Sequence, residues 1–248
     1  METDQLIQPG CKAAPETFFI SIQKDGPYLV YGKPPINEET ITPDADGYSW
    51  TYTKGAVTDN CEEEPIAFCR CGRSGHKPCC DGTHAHTPWD SEETATKESI
   101  LSIAKQYRNA DLILNDTKKY CAVARFCDGK KDIWELMEES LDEETRKLIE
   151  YRENHCPSGR LILVNQATGK IYEPDLDPSI GIIEDPVMKV SGPIWVKGGI
   201  RIQSADGSSY EIRNRVTLCR CGHSKNKPFC DATHVKIGFN SERYNERE

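Results

Sequence analysis

No apolar run in the chain approaches the ~18 residues of a membrane-spanning helix. No block of lysine or arginine offsets the net charge of -9, which argues against non-specific binding to nucleic acid or to an anionic membrane surface. Neither G-x-G-x-x-G nor a Walker pattern is present in the ligand-like loops, and no nucleophile triad is visible, so nothing points to a nucleotide site or a hydrolase. The opening Met1-Glu2-Thr3-Asp4-Gln5 is acidic and lacks the basic and apolar regions of a secretory signal. The expectation is a cytoplasmic protein with neither membrane nor nucleic-acid partners. Hydrophobic residues make up 37% and charged residues 29%, which suits a soluble globular chain with modest cores.

Cysteine is what the chain has in excess. Twelve cysteines without an export signal read as metal or cluster ligands rather than disulfides. Seven of them lie in a sixteen-residue stretch that occurs twice, from Cys69 to His84 and from Cys219 to His234, with eleven positions identical. Each copy sets three cysteines and a histidine as C-x-C-x8-C-x3-H. Zinc knuckles use C-x2-4-C, and C-x-C is tight for them. An Fe2S2 cluster has two ligands on each iron, so the close cysteine pair can hold one iron and the Cys/His pair the other. Spacing alone leaves both zinc and a cluster open.

The rest of the chain suggests β-rich ends around a different middle. Phe18–Ile22, Tyr28–Tyr31 and Gly47–Tyr52 read as strands, with Pro34-Pro35 ending the second. A helix is expected from Asp90 or Ser91 to about Tyr107, with Ile100, Leu101, Ala104 and Tyr107 on one face. Leu112–Leu114 reads as a strand, and Trp134 to about Tyr151 as one or two helices whose apolar contacts are Leu136, Met137, Leu141 and Leu148. Leu161–Val164 and Lys170–Tyr172 read as a hairpin, residues 174–186 as a linker. Gly192–Gly198 echoes Gly26–Gly32, and Asp206-Gly207 marks a hairpin between residues 200–202 and 210–212. The repeat is therefore larger than the ligand loop.

The loops resemble those of the CDGSH iron–sulfur, or NEET, family, whose pattern is C-x-C-x2-[ST]-x3-P-x-C-D-G-[SAT]-H. Cys69, Cys71, Ser74, Pro78, Cys80, Asp81, Gly82, Thr83 and His84 match every fixed position. Cys219, Cys221, Ser224, Pro228, Cys230, Asp231, Thr233 and His234 match in the second copy, with Ala232 in place of glycine. The resemblance implies one [2Fe-2S] cluster on Cys69, Cys71, Cys80 and His84, and another on Cys219, Cys221, Cys230 and His234. Asp81 and Asp231 are expected to cap a turn beside the cluster, Ser74 and Ser224 to donate to sulfur, and Ala232 to alter a local backbone angle or contact. Cys79 reads as a bystander, because Phe229 replaces it in the second copy; Cys11 reads as a free thiol, and His76 and His223 as solvent-facing.

Cys121 and Cys127, with Cys156-Pro157 later, fit the ferredoxin spacing except that Ala124 stands at the second cysteine. The stretch resembles a divergent single-cluster ferredoxin domain, which implies a third cluster. Three cysteines suit [3Fe-4S]; a [4Fe-4S] cluster needs a fourth donor, for which Asp128, His155 and Cys61 are candidates. Trp134 reads as core rather than as an electron relay. The expected architecture is α+β, with residues 1–15 flexible, 16–90 and 179–248 two CDGSH units forming an intramolecular pseudo-dimer, and 91–178 a ferredoxin-like domain between them. The expected function is electron transfer or redox sensing with redox partner proteins, not catalysis by the chain alone. The alternatives are a carrier that donates clusters to apo-proteins and an electron-transfer subunit of a flavoprotein oxidoreductase.

Overall fold

The computed structural model describes residues 6–56, 61, 63–139 and 142–241. Leu141 and Glu62 lie outside these residues. The first segment supplies β1 (Phe19–Ile22), β2 (Tyr28–Tyr31), β3 (Ile36–Pro43), β4 (Ser49–Gly55) and β5 (Ile66–Phe68). The middle segment supplies β6 (Lys105–Arg108), β7 (Leu112–Asp116), α1 (Ile133–Glu138), α2 (Glu143–Asn154), β8 (Leu161–Asn165) and β9 (Ile171–Tyr172). The last supplies β10 (Ser179–Asp185), β11 (Val190–Lys197), β12 (Arg201–Gln203), β13 (Arg215–Leu218) and the single-turn α3 (Thr233–Lys236). The fold is mixed α+β and mostly sheet. Among the described residues no helix is long and apolar enough to cross a membrane.

The two ends of the chain are woven together. One sheet has the order β12-β1-β2-β5 and the other β13-β11-β10-β3-β4. In the first, β2 lies antiparallel between β1 and β5; in the second, β11 lies antiparallel between β10 and β13. The strand that follows each central hairpin crosses to the other sheet: β3 runs parallel to β10, and β12 runs parallel to β1. Neither sheet is therefore built from one end of the chain alone. The apolar residues they bury form one core, in which Ile20, Tyr28 and Phe68 meet Ile180, Ile194 and Leu218. A separate core under the third sheet (β6-β7-β8-β9) holds Leu112, Leu114, Ile133, Leu136, Met137, Ile149, Leu161 and Leu163.

Three expectations from the sequence give way here. The helix over residues 91–107 does not form. Thr94 and Ala95 both donate backbone N–H groups to the Lys227 carbonyl (2.9 Å), and Ser99 Oγ and the Ile100 N–H both reach the Glu211 carboxylate (2.8 Å). After a 3-10 turn over Ile100–Ile103, β6 pairs with β7. Contacts to the far end of the chain override a weak local preference. The linker over 174–186 contains β10, which its flanking prolines disguise. It lies between β11 and β3 in the sheet, and its consecutive residues from Ile180 to Asp185 are all buried, so both faces are covered and its apolar run does not alternate. Pro34-Pro35 does follow the end of β2, but a strand absent from the expected set, β3, begins directly after Pro35, and its buried Glu39 carboxylate accepts from Lys197 Nζ at 2.5 Å. The segment expected to be flexible is tied down from Leu6 onward: Ile7 bridges Ile212, Gln8 N–H bonds the Ile212 carbonyl and Ala14 N–H bonds the Gly199 carbonyl.

Arg215, fully buried on β13, joins all three segments. Its Nη2 lies 2.5 Å from Glu153 Oε1 on α2 and 2.9 Å from Glu173 Oε1, and its Nη1 donates to the Cys156 carbonyl at 3.2 Å. Gln8 Nε2 donates to the same Glu173 at 2.9 Å. Removing one partner of a buried pair leaves charge without compensation. Arg215→Met is accordingly expected to destabilise the protein by about 3–5 kcal/mol, while Lys33→Met, which breaks an exposed pair with Glu64, shifts it by less than about 1 kcal/mol. Urea unfolding of the two variants checks this contrast.

Candidate metal centres

β5 and β13 deliver the chain to Cys69 and Cys219, and the loop then folds back on the strand that delivered it. Cys69 N–H bonds the Pro78 carbonyl and Cys80 N–H the Ala67 carbonyl; Cys219 bonds Pro228 and Cys230 bonds Thr217, all at 2.8 Å. Both Pro78 and Pro228 follow a cis peptide bond. The result is the same two donor pairs in each copy. Cys69 and Cys71 Sγ lie 3.7 Å apart, as do Cys219 and Cys221 Sγ. Cys80 Sγ lies 3.3 Å from His84 Nδ1, and Cys230 Sγ 3.4 Å from His234 Nδ1. Among the described residues no three donors meet tightly enough for one metal ion.

The residues between the ligands have defined work. Asp81 does not cap the following turn by its N-cap position, which is Gly82. Its two carboxylate oxygens accept from Thr83 N–H (3.0 Å) and Gly75 N–H (2.8 Å), closing the loop on itself; Asp231 does the same with Thr233 and Lys225. These bonds hold the Asp81 carboxyl well below the usual range, the Thr83 contact contributing most. Ser224 Oγ donates to the Phe229 carbonyl at 2.6 Å, a backbone acceptor rather than sulfur, and Ser74 Oγ accepts from His76 N–H at 3.0 Å. Ala232 keeps the left-handed backbone of Gly82, with φ of 71° against 84°, so the substitution leaves the angle in place. His76 and His223 are exposed, as expected.

Arg70 and Arg220, the residues inside each C-x-C, carry a role that the sequence reading passed over. Both are buried, and each reaches the central hairpin of its unit: Arg70 Nε donates to the Gly26 carbonyl in the turn before β2 and Arg220 Nε to the Gly192 carbonyl in β11, both at 2.8 Å. The signal was present, since the arginine and its glycine partner recur together in both copies. Gly72 and Gly222 are the next pair. A Cβ at residue 72 would stand 2.3 Å from the Cys221 carbonyl oxygen, and one at residue 222 would stand 2.3 Å from that of Cys71. The two ligand loops lie back to back at this point.

Their surroundings differ. His84 is half-buried, whereas His234 is 4% exposed. Burial, with the Arg220 charge adding to it, pushes the His234 imidazole down to about 4. In each close pair the first cysteine, Cys69 or Cys219, is held low by the thiol of its partner and by backbone N–H groups, those of Ser74, Gly72 and Arg73 in the first loop. Cys80 and Cys230 are raised by burial.

The middle cysteines meet at a cavity of about 400 Å3 between the two α-helices' end of the domain and the loop after β7. Cys121, Cys127 and Cys156 all line it, together with Ala124, Asp128, Asp116, Trp134 and Arg160. Burial raises the Cys127 thiol, and nearby Asp128, Cys156 and Cys121 add to the effect. Of the three candidate fourth donors, Asp128 alone lines the cavity, its Oδ1 3.6 Å from Cys127 Sγ. His155 turns away: its Nδ1 sits 2.7 Å from the Tyr151 carbonyl and its ring lies against Phe126 and Tyr151. Cys61 is joined to Cys79 in a disulfide, which removes Cys61 as a donor and Cys79 as a mere bystander. The expectation failed because the residues between Cys61 and the loop gave no spacing from which a pairing could be read. The other ten cysteines, Cys11 among them, are free thiols.

The model of an iron-binding zinc finger of CDGSH type matches residues 25–85 and 191–235, and that of a divergent 4Fe-4S mono-cluster matches residues 107–166. The chain is a tandem CDGSH protein with an inserted 4Fe-4S-type segment. No curated protein and no solved structure matches it. The donor sets of this CDGSH protein fit iron–sulfur groups. Each terminal loop offers four donors in two pairs, the arrangement that two irons require. The middle cavity offers three thiols and a wall in which Trp134 Nε1 and Arg160 Nε are buried without an acceptor among the described residues, as an anionic group with sulfur acceptors would demand.

Two measurements follow from this geometry. Gly72→Ala places a methyl group against a backbone carbonyl at a φ of 75°. It is expected to cost about 2–4 kcal/mol and to disturb both loops, whereas Gly82→Ala, which meets nothing within 4 Å, costs about 1 kcal/mol; denaturant midpoints separate them. In the metal-free protein, His234 stays neutral in the folded state down to about 4, below the ordinary 6.5. The unfolded chain therefore binds this proton first as pH falls, and stability is lost between about 6.5 and 4. His234→Gln should flatten that slope in unfolding measurements.

Proposed function

We propose that this chain is an iron–sulfur electron carrier. It holds one [2Fe-2S] cluster on Cys69, Cys71, Cys80 and His84, a second on Cys219, Cys221, Cys230 and His234, and a third of [3Fe-4S] or [4Fe-4S] type on Cys121, Cys127 and Cys156. The observation that carries this reading is the duplicated geometry of the loops: each contains a pair of thiols 3.7 Å apart and a Cys/His pair 3.3–3.4 Å apart, twice in one chain. Such groups supply one-electron chemistry, with a potential set by ligand charge, hydrogen bonds and exposure. The chain's own residues determine those settings. Backbone N–H groups stabilise the thiolate of the first cysteine of each pair, and a neutral imidazole in place of a thiolate lowers the ligand charge. Asp81 and Asp231 fix the loop, while Arg70 and Arg220 tie it to its sheet. The exchange of β3 and β12 between the two sheets supports treating the terminal units as a pseudo-dimer within one chain.

The nine ligand cysteines are free thiols, which a reducing, cytoplasmic setting preserves, and the Cys61–Cys79 disulfide is the exception. The partners on this reading are redox proteins that give and take single electrons. The unequal exposure of His84 and His234 favours a second use, in which the first loop hands its cluster to apo-proteins. Incubation with an apo-ferredoxin tests it: transfer should deplete the first loop before the second, and no transfer in any redox state ends the idea.

Anaerobically purified protein should contain roughly seven irons with a [3Fe-4S] centre or eight with a [4Fe-4S] centre. Cys121→Ala should remove the three or four of the middle site and leave two [2Fe-2S] EPR signals. In an eight-iron protein, Asp128→Ala tests the oxygen donor by reducing the middle site to three irons. Zinc in the terminal loops would overturn the reading.

A further inference from the structure

The middle site contains two buried hydrogen-bond donors that have no acceptor among the described residues. Arg160 is 6% exposed and lines the cavity of Cys121, Cys127 and Cys156. Its Nη2 donates to Asp116 Oδ2 at 2.8 Å, which fixes the guanidinium and offsets the carboxylate. Its Nε is buried and has no acceptor among the described residues. Trp134 stands beside it, with the guanidinium carbon 5.4 Å from the indole ring centre. The indole Nε1 is also buried without an acceptor among the described residues, and Trp134 lines the same cavity. A buried donor left unmade costs about 1–3 kcal/mol. Two of them, on neighbouring side chains that line one cavity with three thiols, call for an acceptor that arrives with the group the thiols hold.

We propose that Arg160 and Trp134 are the positioning residues of the middle site, donating Nε–H and Nε1–H hydrogen bonds to sulfur of the group bound by Cys121, Cys127 and Cys156. This rests on reading those cysteines as iron–sulfur ligands. Sulfide and thiolate sulfur accept hydrogen bonds more strongly as negative charge accumulates, so such donors favour the reduced state and raise the potential. The terminal loops meet the same need differently. There the donors at Cys69 and Cys219 are backbone N–H groups of the loop itself, such as those of Gly72 and Gly222. Side-chain substitution cannot remove those, but it can remove the two donors of the middle site. The helix containing Trp134 thus does more than fill a core.

The test uses the fully loaded protein. Iron is counted first in wild type, Trp134→Phe, Arg160→Lys and Asp116→Asn, and each is then titrated electrochemically with EPR detection of all three centres. Trp134→Phe keeps an aromatic ring and removes only the N–H; Arg160→Lys keeps the charge and removes the Nε–H; Asp116→Asn loosens the guanidinium. The expected result is a lower midpoint potential of the middle centre in Trp134→Phe and Arg160→Lys, with both [2Fe-2S] potentials unchanged; Asp116→Asn also removes a negative charge from the cavity wall and is read by its iron content. An unchanged middle potential in Trp134→Phe at full iron content overturns the proposal, whatever the arginine variant does, because a packing role would not need the N–H. Loss of the middle irons from Arg160→Lys or Asp116→Asn, with thermal unfolding unaltered, supports it. Wild-type protein without iron at the middle cysteines would instead refute the parent reading, and the iron count reveals that before any potential is measured.

Discussion

Two carbonyl groups govern how the ends of this chain can meet. Those of Cys71 and Cys221 occupy the space that a side chain at residue 222 or 72 would need, so each ligand loop is shaped to accept the other. Glycine is the residue that allows the approach, both by lacking Cβ and by adopting a positive φ. Once the loops are back to back, the sheets that deliver them must stand side by side. The crossing strands β3 and β12 then complete the sheet of the opposite unit. The close approach, the shared core and the strand exchange are one constraint expressed at three scales.

The inserted segment has its own core but is attached by both apolar and polar contacts. Tyr120 and Ile162 enter the core of the two woven sheets, Ala124 and Phe126 pack with Ile41, Ile183 and Trp195, and Arg215 is bonded to Glu153 and Glu173 and to the carbonyl of Cys156. Arg215 begins β13, which ends at Leu218 directly before Cys219. One side chain therefore fixes the turn that presents a middle cysteine relative to the strand that presents a terminal one. A second link lies at Tyr120 and Phe229, neighbours of Cys121 and Cys230, whose rings meet edge-on at 5.1 Å with Arg213 against both. The first loop has no aromatic residue at the position of Phe229; Cys79 is there instead, in its disulfide.

The candidate donor sets are local: nine cysteines and two histidines are grouped by spacing, and the structure brings members of each group close in space. The strands with alternating or aromatic patterns, β1, β2 and β4, were legible for the same reason, as were the hairpins at residues 166–169 and 206–207. What the sequence concealed is what distant residues decide. β10 has no alternation because both its faces are covered, and β3 carries Glu38 and Glu39 where an apolar residue would have signalled a strand. Residues 91–99 have the composition of a helix, yet they lie extended because Lys227 and Glu211 offer acceptors. The exchange of β3 and β12 has no local signature at all. The disulfide was hidden in the same way, since Cys61 and Cys79 are brought together by the hairpin between them and the loop, not by spacing.

Encoding both halves of a woven pair in one polypeptide has a consequence beyond geometry. A pair made from two identical chains must use each residue twice and comes apart on dilution. Here the tether fixes the local concentration of one half around the other, so assembly is independent of how much protein is present. It also lifts the requirement of sameness. Each position is written separately, so Ala232 can stand opposite Gly82, Phe229 opposite Cys79, and a sheltered imidazole opposite a half-buried one. The repeat thus preserves a shape while releasing its two copies to become chemically distinct.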